Sequence, residues 1–313
     1  LTNTLEGLVI RTQSGFLTVK TEVGEFVCRL RGRLKQGEVE GDIAGIGDRV
    51  SITTHEDGTG MVEDVHERIT EISRIRTGIK REFRQILLAN ADQMVIVFAC
   101  ADPEPHLRML DRFLVIAEKQ KIKALVVANK VDLISMRGAE KLFSLYEDLG
   151  YSVFYTSART GLGIDQLLQA LSGKISALVG PSGVGKSSLL NAIQPELGLR
   201  VRAVSEATSK GKHTTQVREL FPLDVDGYVA DTPGIRSLAL WDTEPEELDA
   251  YFVEMRDLVA DCQFSDCTHT HEPGCAVRKA VEEGSISTER YASYLRLRFG
   301  DESEVYIDGL LKD

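Results

Sequence analysis

Apolar positions change their spacing twice along this chain. Over residues 1–70 they come as short runs or alternate with polar ones, as in Leu8-Val-Ile, Phe16-Leu-Thr-Val-Lys and Glu25-Phe-Val-Cys-Arg-Leu. Gly15, Gly24, Gly32, Gly37, Gly41, Gly47, Gly58 and Gly60 punctuate these runs. Alternation puts one side of a strand on a core and the other in water, and the glycines turn the chain between strands. The segment predicts an all-β domain of about five short strands, a small barrel such as an OB-fold. The pattern alone does not separate the OB-fold from other small barrels.

From about residue 90 to 240, continuous apolar runs alternate with helix-like spacing. Gln93 to Ala99, Lys123 to Asn129, Tyr151 to Thr156 and Ile175 to Gly180 read as strands, with Tyr228 to Ala230 a further apolar run. Leu107 to Gln120, Gly138 to Leu149, Ile164 to Leu171 and Ser188 to Ile193 read as helices. Strands apolar on both faces and separated by helices predict a mainly parallel sheet covered on both sides. Beyond about residue 242 the pattern is helical around a cluster of Cys and His. The expected fold is therefore multidomain: an all-β barrel over 1–70, an α/β domain over 71–241, and a small helical domain over 242–313.

Charge and composition narrow the class. The net charge is −11, and residues 242–313 account for all of it with 7 Lys/Arg and 18 Asp/Glu. Such a balance argues against nonspecific nucleic-acid binding by the chain as a whole. Basic residues gather locally at Arg74, Arg76, Lys80, Arg81 and Arg84, and again at Lys210 and Lys212. No run of eighteen apolar residues occurs, so no spanning helix and no membrane partner are expected. Leu1 to Gly7 lacks a basic start before an apolar core, so no export signal is expected and the cytoplasm is the expected location. A monomer is expected.

Two nucleotide motifs appear in reversed order. Gly180-Pro-Ser-Gly-Val-Gly-Lys-Ser187 follows a strand and opens a helix, the context a phosphate loop requires. Ser182, Gly183, Val184, Gly185, Lys186, Ser187 and Ser188 can direct backbone N–H groups and a helix N-terminus at phosphate oxygens. Lys186 is expected to reach the outer phosphates and act catalytically through its charge, and Ser187 to ligate Mg²⁺. Asn129-Lys130-Val131-Asp132 lies about fifty residues earlier instead of later. Asp132 can accept from guanine N1–H and the exocyclic amine, a donor pair that adenine does not present. Lys130 can cover the base, and Asn129 can tie its loop to neighbours. Ser157 and Ala158 end the next strand, where a backbone N–H can meet guanine O6.

Asp231-Thr-Pro-Gly234 follows an apolar strand about forty-five residues after the phosphate loop. Asp231 can hold Mg²⁺ through water and Gly234 can meet the γ-phosphate. Thr214 or Thr215, with Thr215 favoured, is placed to complete the Mg²⁺ shell. Many GTPases carry a water-orienting Gln after that Gly, but Ile235 stands here. His213 is the candidate to position the attacking water. The order base loop, Ser-Ala loop, phosphate loop, Asp-x-x-Gly is that of a circularly permuted GTPase. Such a permutation also leads Asp231 to Gly234 directly into the C-terminal region.

Cys262, Cys267, His269 and Cys275 offer three thiolates and one imidazole within fourteen residues. Four such ligands suit a closed tetrahedral structural site, expected to hold Zn²⁺. His271 competes as the fourth ligand.

These residues together resemble the circularly permuted, ribosome-small-subunit-dependent GTPases of the RsgA type. The carrying motifs are Asn129 to Asp132, Gly180 to Ser188, Gly211-Lys-His-Thr-Thr215, Asp231 to Ile235, and Cys262 to Cys275 with Glu272-Pro-Gly before the last thiol. The resemblance covers nearly the whole chain. It implies an OB-fold for the barrel, bound GTP or GDP with Mg²⁺, and one structural Zn²⁺. It further implies hydrolysis stimulated by the small (30S) ribosomal subunit, a late role in that subunit's maturation, contact with 16S rRNA, and a catalytic role for His213. Against this stands a GTP-gated binding module with negligible hydrolysis, suggested by Ile235.

Overall fold

A computed structural model describes residues 4–35, 41–76, 83–198, 218–230 and 243–300. His213, Thr214, Thr215, Asp231, Gly234 and Ile235 lie outside the described residues, as do Lys80, Arg81, Lys210 and Lys212.

The first five strands are β1 (Thr4–Gln13), β2 (Phe16–Thr21), β3 (Gly24–Leu30), β4 (Arg49–Thr54) and β5 (Thr59–Val65). They pair in the order β1-β2-β3-β5-β4, and β4 returns to β1, which closes a barrel. Only the β3–β5 pair is parallel. That topology is the OB-fold among the small barrels left open by the sequence pattern. Val9, Leu17, Val19, Cys28, Val50, Ile52 and Val62 point inward and make its core. They come from alternate positions, which is why the period-2 pattern was readable.

β6 (Glu71–Arg76) and β7 (Phe83–Ala89) form a separate antiparallel hairpin between barrel and sheet. Two residues of the basic cluster hold that hairpin together: Arg74 Nε donates to Gln85 Oε1 at 2.7 Å, and Arg84 Nε pairs with Glu71 at 2.9 Å. Arg68, between barrel and hairpin, donates twice to the fully buried Asp48 at 2.8 and 2.9 Å and once to Glu71 of β6 at 3.2 Å, which fastens the two together.

The α/β domain follows with β8 (Gln93–Ala99), α1 (Leu107–Lys119), β9 (Lys123–Asn129), α2 (Met136–Asp148), β10 (Ser152–Thr156), α3 (Ile164–Leu171), β11 (Ile175–Val179), α4 (Lys186–Ile193), β12 (Arg218–Pro222) and β13 (Tyr228–Ala230). β10, β9, β8, β11 and β13 lie parallel in that order, and β12 adds an antiparallel edge. Every residue of β8 is buried. Its Met94, Ile96 and Phe98 join the core under α1 and α2, while Val95, Val97 and Ala99 join the core under α3 and α4. This two-sided burial explains the unbroken apolar run. α2 begins at Met136, two residues before the sequence pattern starts, because Ser135 caps it by accepting from the Gly138 N–H.

β12 also pairs with β1 of the barrel, Arg11 opposite Glu219 and Thr12 opposite Arg218. The barrel and the α/β domain thereby share one eleven-stranded sheet. β1 serves both: Thr4 to Leu8 pairs with β4, and the strand shifts register between Val9 and Arg11 before meeting β12.

The C-terminal region holds a 3₁₀ segment Pro245–Tyr251, then α5 (Val253–Arg256), α6 (Ala276–Glu282) and α7 (Thr288–Phe299). Its core includes Leu248, Phe252, Met255, Tyr291 and Tyr294, and takes Val115 from α1. Arg290 lies 1 % exposed at this seam and bonds Asp111 of α1 at 2.7 Å and Glu254 at 2.6 and 3.0 Å. Tyr146 donates to the same Asp111 at 2.9 Å. Among the described residues, no helix is long and apolar enough to cross a membrane.

Candidate nucleotide and metal sites

Parallel strands deliver their carboxyl ends to one edge, and the loops that leave them meet there. β9 ends at Asn129, β10 at Thr156 and β11 at Val179. β9 and β10 run in register, with Thr156 opposite Asn129.

Asn129 is 1 % exposed and joins all three loops. Its Nδ2 donates to the Val184 carbonyl of the phosphate loop at 2.9 Å. Its Oδ1 accepts from the Thr156 hydroxyl at 3.1 Å. Gly185 is shaped to this contact: its φ is +93°, and a Cβ there would sit 2.6 Å from Asn129 Nδ2. Gly180, at φ +136°, passes so close to β8 that a Cβ would meet the Val97 carbonyl at 2.2 Å. Gly180 and Gly185 are thus required by packing as well as by phosphate approach.

Lys130 adopts a left-handed backbone and its Nζ donates to the Asp102 carbonyl, beyond the end of β8. Asp132 Oδ1 accepts from Ser157 Oγ at 2.5 Å, and its Oδ2 pairs with Arg159 Nε at 3.0 Å. The Arg159 side chain is 73 % exposed. Such a surface pair contributes at most about 1 kcal/mol, so it yields readily to a better partner for Oδ2. Ala158 lies in the turn between Ser157 and Arg159, which closes with the Gly161 N–H donating to the Ser157 carbonyl at 2.9 Å.

In the phosphate loop, Ser182 is exposed, Gly183 half-buried and Val184 buried in the core beneath α3 and α4. Lys186 opens α4 and is itself buried, its Nζ donating to the carbonyls of Gly180 and Pro181 at 2.8 and 2.5 Å. Ser187 and Ser188 fill the first turn, half-buried. The Leu189 N–H donates to the Gly185 carbonyl at 2.8 Å, so the N-terminal end of α4 opens directly from the loop, where a helix start favours an anion. β13 lies parallel to β11, so its end at Ala230 reaches the same edge.

The second site lies in the C-terminal region. The ligand atoms of Cys262, Cys267, His269 and Cys275 all fall within 4.8 Å of one another. His269 Nδ1 is 3.4 Å from Cys275 Sγ and 3.6 Å from Cys262 Sγ, and those two sulfurs are 4.0 Å apart. A tetrahedral Zn²⁺ with ordinary bond lengths needs ligand separations of about 3.5–3.8 Å, so the residues fit the ion. His271 is exposed, hydrogen-bonded to Thr270, and outside the cluster. Burial pushes the Cys267 thiol up to about 12 and raises Cys275 as well. Against the raising effect of its own burial, Glu272 is held down to about 2 by bonds from the Thr268 hydroxyl and from backbone N–H groups of Thr268 and Thr270, which closes the loop.

Two neighbours of these sites were not legible in the sequence. Arg159 carries no motif, and Asp249, which meets His269 Nε2 at 3.1 Å, is one acid among the many of an acidic region.

Comparison with known proteins agrees with this geometry. Residues 65–241 match the model of the RsgA GTPase family, and residues 6–62 that of the RsgA N-terminal domain. The chain is 46 % identical over 302 residues to a protein of Gemmatimonas aurantiaca named small ribosomal subunit biogenesis GTPase RsgA, covering 95 % of this chain and 98 % of that one. A protein of the same name from Moorella thermoacetica is 45 % identical over 291 residues, covering 93 % and 95 %. The crystal structure of YjeQ from Thermotoga maritima superposes with a TM-score of 0.78 at 39 % identity, covering 95 % and 98 %. That of YloQ, described as a circularly permuted GTPase, gives 0.74 at 31 %, covering 96 % of each chain.

Proposed function

This chain belongs to the RsgA family of circularly permuted GTPases, and from that premise we propose that it hydrolyses GTP as a late maturation factor of the small ribosomal subunit. Its named relatives are small-subunit biogenesis GTPases over nearly their whole length. The reading divides the chain into a barrel over 1–70, the GTPase domain over 71–241 and a helical metal-binding domain over 242–313.

The observation that carries the reading is the bridge of Asn129 between Val184 and Thr156. It makes the base loop, the Ser157 loop and the phosphate loop one cradle despite their order in sequence. In this cradle Asp132 reads guanine, with Asn129, Lys130, Ser157 and Ala158 shaping the base pocket. Residues Ser182 to Ser188 surround the phosphates, and Lys186 leaves the Gly180 and Pro181 carbonyls for phosphate oxygen. Ser187 and Thr215 would hold Mg²⁺, with Asp231 reaching it through water, and Gly234 would meet the γ-phosphate. The ion, when bound, neutralises charge developing on the phosphate oxygens. His213 orients the attacking water in place of the Gln whose position Ile235 occupies. Cys262, Cys267, His269 and Cys275 hold Zn²⁺ as a structural ion. The barrel contacts 16S rRNA, a role that suits an OB surface.

Single-turnover hydrolysis with and without purified small subunits tests the proposal. Stimulation by the subunit, together with loss of GTP-over-ATP preference in Asp132→Asn, is the expected result. Intact GTP binding without any association with small subunits would overturn the maturation role.

A further inference from the structure

We propose that Asp249 is the positioning residue of the metal knuckle. It fixes His269 in the tautomer whose Nδ1 faces the thiols, and it links metal occupancy to the seam between the C-terminal region and α1. The inference rests on the reading of Cys262, Cys267, His269 and Cys275 as a metal site.

His269 is fully buried and its backbone lies in the left-handed region at φ +60°, which few side chains occupy without a local reason. Its ring is held at both nitrogens. Nε2 stands 3.1 Å from Asp249 Oδ2, while Nδ1 faces Cys275 and Cys262 at 3.4 and 3.6 Å. An ionised carboxylate only accepts, so the proton belongs on Nε2 and the free lone pair on Nδ1. Asp249 is itself largely buried, so its charge acts on the ring with little screening by water. A carboxylate behind a metal-bound imidazole raises its basicity and fixes its plane. Tyr294 packs against the His269 ring with centroids 5.9 Å apart but offers its nitrogens no hydrogen-bond partner: its hydroxyl donates to the Thr268 carbonyl at 3.1 Å, and that of Tyr291 to the His269 carbonyl.

Asp249 does not belong to the knuckle. It lies twenty residues before His269, on the 3₁₀ segment Pro245–Tyr251. Its neighbour Leu248 is buried in the same core as Val115 of α1, and Glu247 reaches Lys119 of α1 at 3.7 Å. One carboxylate therefore stands between the metal's ligand set and the turn that seats on the GTPase domain. A metal that pins His269 also pins this turn.

The full chain, with Zn²⁺ and Co²⁺ as probes, tests the claim in wild type, Asp249→Asn and Asp249→Ala. Chelator competition is expected to show metal affinity about 10- to 100-fold lower in Asp249→Ala, with Asp249→Asn between it and wild type. Co²⁺ absorption is expected to keep its thiolate charge-transfer band and shift its ligand-field bands as the imidazole loosens. Zn²⁺ is expected to slow amide exchange over 245–251 and α1 in wild type, and not in Asp249→Ala. Asn preserves the packing and removes the charge, so an Asn variant equal to wild type in affinity and exchange would overturn the proposal. The Asn comparison also decides the matter if the Ala variant does not fold. A wild-type chain that takes up neither ion would sink the metal reading and this inference together, whereas normal uptake by both variants would sink the inference alone.

Discussion

The Asn129 side-chain amide lies 2.9 Å from the Val184 carbonyl, across 55 residues of chain, and ties the loop after β9 to the Gly-rich loop before α4. Asn129→Ala removes this bond and the one from Thr156 while leaving Asp132 in place. Breaking buried hydrogen bonds costs about 1–3 kcal/mol, so GDP and GTP should both bind about 5- to 150-fold more weakly. Titration with fluorescent analogues of each checks it. A loss confined to GTP would place the role of Asn129 at the γ-phosphate instead.

His213→Ala should lower turnover about 10²- to 10⁴-fold, the usual span for a positioned proton-transfer group, with nucleotide affinity unchanged. Single-turnover phosphate release measures the first and equilibrium titration the second. Turnover equal to wild type would assign the water to another group.

Arg290 holds Asp111 and Glu254 at 2.7 and 2.6 Å, all three side chains nearly buried. Arg290→Met would strand two buried carboxylates, at a cost of about 3–5 kcal/mol. Urea unfolding should show the C-terminal region losing stability first. Adding Asp111→Asn and Glu254→Gln to that variant should recover part of the loss, because the stranded charges are gone. No recovery would mean that packing on Phe252, over which the guanidinium lies at 4.5 Å, dominates.

Metal binding should strengthen with pH. Burial holds the Cys267 thiol at about 12 and raises Cys275, so both are protonated in the metal-free chain at neutral pH. Binding requires the thiolates and releases those protons. Affinity should rise by about tenfold per pH unit for each proton released. The metal-free fold has the opposite slope: its folded-state thiol pKa is raised, so this contribution to stability is full below about 9 and is lost as pH climbs toward 12. Chelator competition at pH 6.5 to 8 and unfolding of the metal-free chain above pH 9 test the two signs, these being ordinary working ranges for thiols.

The sequence revealed what local spacing encodes. β8, β9 and β11 were readable because both of their faces are buried, and the barrel because its core residues alternate. The hairpin of β6 and β7 was hidden by its run of arginines, two of which, Arg74 and Arg84, pair across the strands with Gln85 and Glu71. β12 is five residues long and ends in Pro222; it pairs with β13 nearby and with β1 two hundred residues away, so a local window of sequence contains only half of its reason for being a strand. Of the nucleotide site, residue types and order were legible, while the use of Asn129 as a bridge needed coordinates. Asp249 and Arg290 show the same limit, since burial rather than neighbours in sequence sets them apart from the other charges of an acidic region.

The end of β1, while still paired with β2 of the barrel, covers the outer side of β12. A bare strand margin invites addition of a foreign chain, so the barrel shields its neighbour from self-association. A fragment started after residue 70 would lose that cover. Its solubility should suffer more than the loss of a tethered, independent module would suggest.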